Sequence, residues 1–104
     1  MATAIPGEIL HTYSLSDRFR PLAHVIWARH ADAVVILDAE RGRYHTLNEV
    51  AGRIWELLVA SEPLVEVLRL LGDEYDASAE TLEADVSALL NRLVEAGLIE
   101  RVSA

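Results

Sequence analysis

The 104-residue sequence contains no cysteine and no lysine. Without cysteine there is no disulfide framework, thiol nucleophile or thiolate metal site. Without lysine, Schiff-base chemistry and the lysine of a phosphate-binding P-loop are excluded. The nine basic residues, all arginines, are set against 17 acids, which gives a formal net charge of −8. Because a surface of that sign repels phosphate backbones, we expect no nucleic-acid partner.

Long hydrophobic runs are also missing, although hydrophobic residues make up 52% of the chain. No apolar stretch is long enough to span a bilayer, and the start of the sequence lacks the apolar core of a signal peptide. We therefore expect a cytoplasmic protein with no membrane partner. The length fits one domain with a single core.

The chain divides into two parts by its patterning. Residues 1–22 show no sustained periodicity and hold Pro6 and Pro21, two of the three prolines. We interpret them as an N-terminal arm, more loosely packed than the rest. The alternative is that residues 18–20 dock on the domain or on a partner. Residues 23–104 then form the folded domain.

The first half of that domain predicts an antiparallel meander. Residues 23–29 and 34–37 are rich in strand-forming residues, and a polar turn over residues 38–42 ends in Gly42, which suits a positive φ. Residues 43–47 form the returning strand. This third strand is the shortest and most polar of the three.

The second half predicts three helices, because apolar residues recur at i, i+3, i+4 and i+7 in three segments. Thr46 or Asn48 caps the first helix, Ser61–Pro63 opens the second, and Ser78 caps the third. Gly97 ends the third helix, and residues 98–102 add a short closing strand. A three-stranded antiparallel sheet followed by three helices is an α+β fold.

No catalytic or metal-binding set stands out. The histidines at 24, 30 and 45 lack acidic partners at ligand spacing, and the serines form no nucleophile elbow. The sequence contains no G-x-G-x-x-G, P-loop or H-E-x-x-H motif. We expect no catalytic residues, no metal and no cofactor, and hence a binding domain.

The third strand of the meander is the candidate site, because an edge strand leaves N–H and C=O groups unpaired. In one interpretation, the charge on Arg43 and the shortness of the strand only prevent this edge from pairing with another chain. In the other, an extended peptide adds to it as a further strand, and the flank of the third helix forms the second wall. The predicted peptide-binding residues are Arg43, Tyr44, His45, Thr46, Leu47, Asp85, Ala88, Leu89 and Arg92.

The segments "LDAERGRYHTLN", "IWELL" and "LVEAGLIE" together resemble the PqqD-like family of leader-peptide recognition domains. The resemblance covers residues 33–102. It implies a winged-helix-like, non-catalytic domain that binds the leader of a ribosomally synthesised precursor along the third strand, in a groove shared with the third helix.

Within that family the sequence is most similar to the stand-alone proteins of lasso peptide biosynthesis. This resemblance implies delivery of the precursor to a leader peptidase, a cysteine protease, and then to a cyclase. The alternative is a chaperone of pyrroloquinoline quinone or another modified-peptide pathway, with a radical enzyme as partner.

A winged-helix DNA-binding protein is the third possibility, since the second and third helices also resemble a helix-turn-helix. The first half of the third helix carries Glu80, Glu83 and Asp85 and no basic residue. A helix of that charge is poorly suited to the major groove.

Overall fold

A computed structural model describes residues 13–102 of the chain, as five strands and three helices. In chain order these are β1 (Phe19–Pro21), β2 (Val25–His30), β3 (Ala33–Asp38), β4 (Arg43–Leu47), α1 (Glu49–Val59), α2 (Leu64–Glu74), α3 (Ala79–Glu95) and β5 (Ile99–Arg101). The predicted α+β order, strands first and then three helices, is confirmed.

The predicted meander is present as an antiparallel sheet in the order β2-β3-β4. Ile26, Leu37 and Tyr44 face one another across its three strands. Gly42 has a φ of 68° in the turn between β3 and β4, as the sequence predicts. Ala31, in the short loop between β2 and β3, also has a positive φ, of 56°.

One face of this sheet packs on the helices. Val34 and Ile36 alternate inward along β3 and are fully buried. α1 lies so close to β3 that a Cβ added to Gly52 would sit 3.0 Å from Cγ2 of Val34. At one side of the core, the rings of Trp27 and Trp55 meet edge to face, with centroids 6.1 Å apart.

The helix boundaries follow the predicted caps in most cases. Asn48, rather than Thr46, caps α1, and its Oδ1 accepts from the backbone N–H of Ala51 at 3.0 Å. Ser78 caps α3 through Thr81 N–H, and Gly97 follows α3 with a φ of 71°.

No side chain of residues 13–102 caps α2, and backbone carbonyls of the segment before β1 take the place of a cap. Pro63 stands at the cap position and has no side chain that accepts a hydrogen bond. The carbonyls of Asp17 and Leu15 accept from the backbone N–H groups of Leu64 and Val65, at 3.0 and 2.8 Å. The chain before β1 thus satisfies donors that a helix N-terminus leaves open.

The expectation of a loosely packed arm is wrong for the part of residues 1–22 that the structure describes. β1 pairs antiparallel with β5, the predicted closing strand, in a second sheet of two strands. Phe19 is fully buried in the core. Residues 1–12 lie outside the described residues. An independently folding domain of residues 23–104 stays a prediction.

Candidate peptide-binding groove

β4 is an edge strand. Within residues 13–102 it pairs only with β3, in the register that places Val34 opposite Leu47 and Asp38 opposite Arg43. Its other side therefore offers unpaired backbone N–H and C=O groups to an incoming extended chain.

The side chains of β4 alternate between two surfaces. Arg43 and His45 face the end of α3, whereas Tyr44 lies on the opposite face of the sheet. Thr46 is exposed on the same side as Tyr44, and Leu47 is buried in the core. Of the five residues predicted on this strand, Arg43 and His45 are thus the ones that line the space toward α3.

Two depressions border α3, one against β4 and the β3–β4 turn and the other against the beginning of α1. One, of about 240 Å³, is at the start of β4 and the end of α3; it is lined by Asp38, Arg41, Arg43, His45, Glu95 and Ala96. The other, of about 210 Å³, follows the end of β4; it is lined by Asn48, Val50, Ala51, Ile54, Asp85 and Ala88. Together they define a groove, hereafter the β4–α3 groove.

One exposed flank of α3 forms the helical side of this groove. Asp85, Ala88, Arg92 and Glu95 are exposed and recur at spacings of three and four residues, so they form one stripe along the helix. Leu89 is only 6% exposed and belongs to the core. Asp85, Ala88 and Arg92 thus share one surface, and Leu89 supports it from beneath.

A polar bridge, not anticipated from the sequence, joins the β3–β4 turn to the end of α3. Asp38 is 1% exposed, and its Oδ1 accepts from the backbone N–H groups of Glu40 and Arg41, both at 3.0 Å. The Arg41 Nη1 donates to Asp38 Oδ2 at 3.1 Å and to the carbonyl oxygen of Ala96, the residue that caps α3, at 3.2 Å. This bridge fixes the turn against the helix at one end of the groove.

The same contacts set the ionisation of Asp38. Burial disfavours its charged form, but hydrogen bonds from the Arg41 backbone and guanidinium, together with nearby His24, hold the pKa of Asp38 below its usual value. The bridge is therefore ionic at neutral pH. An Asp at the end of a strand with an Arg three residues on is the sequence signal that could have indicated it.

The face of the sheet away from the helices is apolar and partly open. Ile26 and Tyr44 are 59% and 70% exposed and flank Leu37 on this face. A depression of about 250 Å³ is lined by Ile26, Trp27, Ala28, Val35, Leu37 and Tyr44.

Other kinds of site were also sought in the described part of the chain. Between residues 13 and 102 no group of three or more His, Cys, Asp or Glu side chains is placed to hold a metal ion. In the same range, no helix has the length and apolar character needed to cross a membrane.

Comparison with known proteins points to one family. The family model for coenzyme PQQ synthesis protein D (PqqD) matches residues 33–99. No curated protein matches the sequence significantly.

Two solved structures are similar to the chain, each at 29% sequence identity. One is "TbiB1 in Complex with the TbiA(beta) Leader Peptide", with a TM-score of 0.74 over 82% of this chain and 99% of that chain. The other is "Lasso peptide synthetase B1 complexed with the leader peptide", with a TM-score of 0.73 over 80% of this chain and 98% of that chain. Both similar structures are thus complexes with a leader peptide.

Proposed function

The chain belongs to the PqqD family, and from this premise we propose that it binds the leader segment of a ribosomally synthesised precursor peptide. The leader adds as a strand to the open edge of β4 and lies in the β4–α3 groove. The proposed binding residues are the nine predicted on β4 and α3. Among them, Tyr44 and Thr46 lie on the face of the sheet away from the helices, and Leu47 and Leu89 support the site from the core.

The observation that carries this proposal is the unpaired edge of β4 beside an open groove. Residues 43–47 span about 13 Å, at about 3.3 Å per residue. An extended leader of four or five residues would match this length. Main-chain hydrogen bonds would supply affinity, and the two depressions would accept side chains. The leader peptides in both similar structures support a ligand of this kind.

We propose that the chain performs no chemistry itself and acts in the cytoplasm, where precursors are synthesised. It delivers the bound precursor to a leader peptidase, a cysteine protease, and then to a cyclase that closes a lasso peptide. The match to a lasso peptide synthetase component favours this pathway. The family description keeps open the alternative, a peptide chaperone for a radical enzyme in pyrroloquinoline quinone biosynthesis.

An NMR titration tests the binding mode. The probe is a synthetic leader peptide from a short precursor gene, which must first be located beside the gene for this chain. Addition of the leader should shift the backbone amides of residues 43–47 and of the Asp85–Arg92 flank. Shifts confined to other surfaces, or no shift with this leader, would contradict the proposal.

A pair of matched substitutions on α3 refines the test. Ala88 is exposed and lines the groove, whereas Ala79 is exposed on the opposite side of the same helix and lines neither of its depressions. Ala88→Leu should weaken leader binding by about tenfold because the larger side chain fills the groove, which corresponds to about 1.4 kcal/mol. Ala79→Leu should leave the affinity unchanged. Equal effects of both substitutions would remove α3 from the binding site.

A further inference from the structure

The arginines of this acidic chain differ in whether they have partners. Within residues 13–102, seven of the nine make a hydrogen bond or ion pair, and Arg43 and Arg92 do not. Arg20, Arg29, Arg41, Arg53, Arg69 and Arg101 pair with carboxylates, and Arg18 donates to the carbonyl oxygen of Ser61.

The two unpartnered arginines flank the same groove. Arg43 lines the depression at the start of β4, opposite the end of α3. Arg92 is exposed on α3 between Ala88 and Glu95, which line the two depressions. In a chain with 17 acids and nine arginines, carboxylate partners are abundant, yet these two guanidinium groups are left without one at the proposed peptide site.

The other charged residues of the groove determine which of its two depressions favours a carboxylate of the ligand. Asp38 lines the first depression but is neutralised by Arg41, which leaves Glu95 as the one unpaired carboxylate among its lining residues. The second depression carries Asp85 and the neutral Asn48 among apolar residues, and no basic residue lines it. A ligand carboxylate is therefore favoured at the β4-start half of the groove and repelled from the other half.

We infer that the leader carries an Asp or Glu side chain that Arg92 and Arg43 bind at the β4-start half of the groove. This inference rests on the proposed leader-binding function and adds the chemical class of one recognised residue. A guanidinium offers several N–H donors in a planar fork that matches a carboxylate. The incoming acid supplies the partner that the described part of the chain does not provide.

Fluorescence anisotropy with the labelled leader and a set of its variants tests this inference. In each variant, one acidic residue of the leader is replaced by its amide. One such replacement should weaken binding about fivefold, and Arg92→Gln should weaken binding of the unmodified leader by a similar factor. The two changes combined should cost little more than either alone, because both remove the same ion pair. Arg43→Gln should act in the same direction.

The control is Arg69→Gln, which removes an exposed arginine whose partners, Glu66 and Asp73, lie on its own helix α2. It should leave the affinity unchanged. Arg92→Lys keeps the charge but loses the fork, so its affinity should fall between those of the wild type and Arg92→Gln. Because Arg43 and Arg92 make no hydrogen bond or ion pair within residues 13–102, circular dichroism should show all these variants to be folded.

Two results would overturn the inference, and they are distinguishable. If the leader shifts the β4 amides but binds Arg43→Gln and Arg92→Gln as tightly as the wild type, acid recognition is wrong and strand addition stands. If the leader shifts no β4 amide, the proposed function and the inference fail together.

Discussion

Replacement of Phe19 by Ala should cost the protein a large part of its stability, although Phe19 belongs to a strand of only three residues. Its side chain is fully buried, and Tyr13 meets its ring edge to face with centroids 5.7 Å apart. The adjoining backbone is held by hydrogen bonds from Val102 N–H to the Arg18 carbonyl and from Leu22 N–H to the Leu98 carbonyl. The neighbouring structure is thus too constrained to collapse into the space that the ring vacates.

The magnitude follows from burial and from the cavity left behind. Loss of a fully buried aromatic ring costs about 3–5 kcal/mol, the sum of lost transfer free energy and cavity formation. A domain of this size is stable by only about 5–15 kcal/mol. At about 4 °C per kcal/mol, the lower bound of the usual range for small domains, Phe19→Ala should lower Tm by at least 12 °C.

Urea denaturation followed by far-UV circular dichroism measures this free energy of unfolding. Arg20→Ala is the matched control, because Arg20 is on the same strand but is exposed and pairs with a half-buried Glu100. Its effect should stay below about 1 kcal/mol. A loss below 1 kcal/mol for Phe19→Ala as well would refute the assignment of β1 to the core.

Gly52→Ala should lower the free energy of unfolding by about 1–3 kcal/mol, because the new Cβ would lie 3.0 Å from Val34 Cγ2. This clash should outweigh the better helix propensity of Ala. Urea denaturation measures the change, and a more stable variant would show that α1 can move away from β3. Acidification below about pH 4 should lower the urea midpoint. The pKa of Asp38 is lower in the folded protein than in the unfolded chain, so the ionised carboxylate stabilises the fold, and this stabilisation is lost as pH falls toward the folded-state pKa. The pKa of Glu56 is lowered by its hydrogen bond from Arg29, so Glu56→Gln should reduce the acid dependence; a midpoint that rises between pH 5 and pH 3 would contradict both expectations.

The meander and the three helices could be predicted because their signals are local. The apolar run of β3 and the helical spacing in α3 arise from residues close together in the sequence, and the caps at Asn48 and Ser78 depend on side chains three residues from the donors they satisfy. The place of β4 as the last strand of the meander followed from the turn at Gly42.

The burial of Phe19 could not be predicted in the same way. Its partner strand β5 lies about 80 residues later, and three residues are too few to show an alternating pattern. The site shows the same limit. The sequence placed Arg43 and Arg92 on the right elements, but only the packed structure separates them from the seven arginines that have partners. That Tyr44 and His45 point to different surfaces, by contrast, could have been predicted, because they are neighbours on one strand.

The pairing of β1 with β5 also bears on how this domain can be joined to other proteins. Phe19 lies opposite Arg101, and Val102 N–H is 2.8 Å from the Arg18 carbonyl oxygen, so the chain enters and leaves the fold side by side. This junction lies in a different sheet from the one that offers β4. A larger enzyme joined covalently at Tyr13 or at Val102 would be attached at the same place, away from the edge that β4 leaves open within residues 13–102. Because Arg101 Cζ also lies 5.7 Å from the centroid of the Tyr13 ring, a short linker from residue 102 back to residue 13 would suit a circular permutant with new ends in an exposed loop.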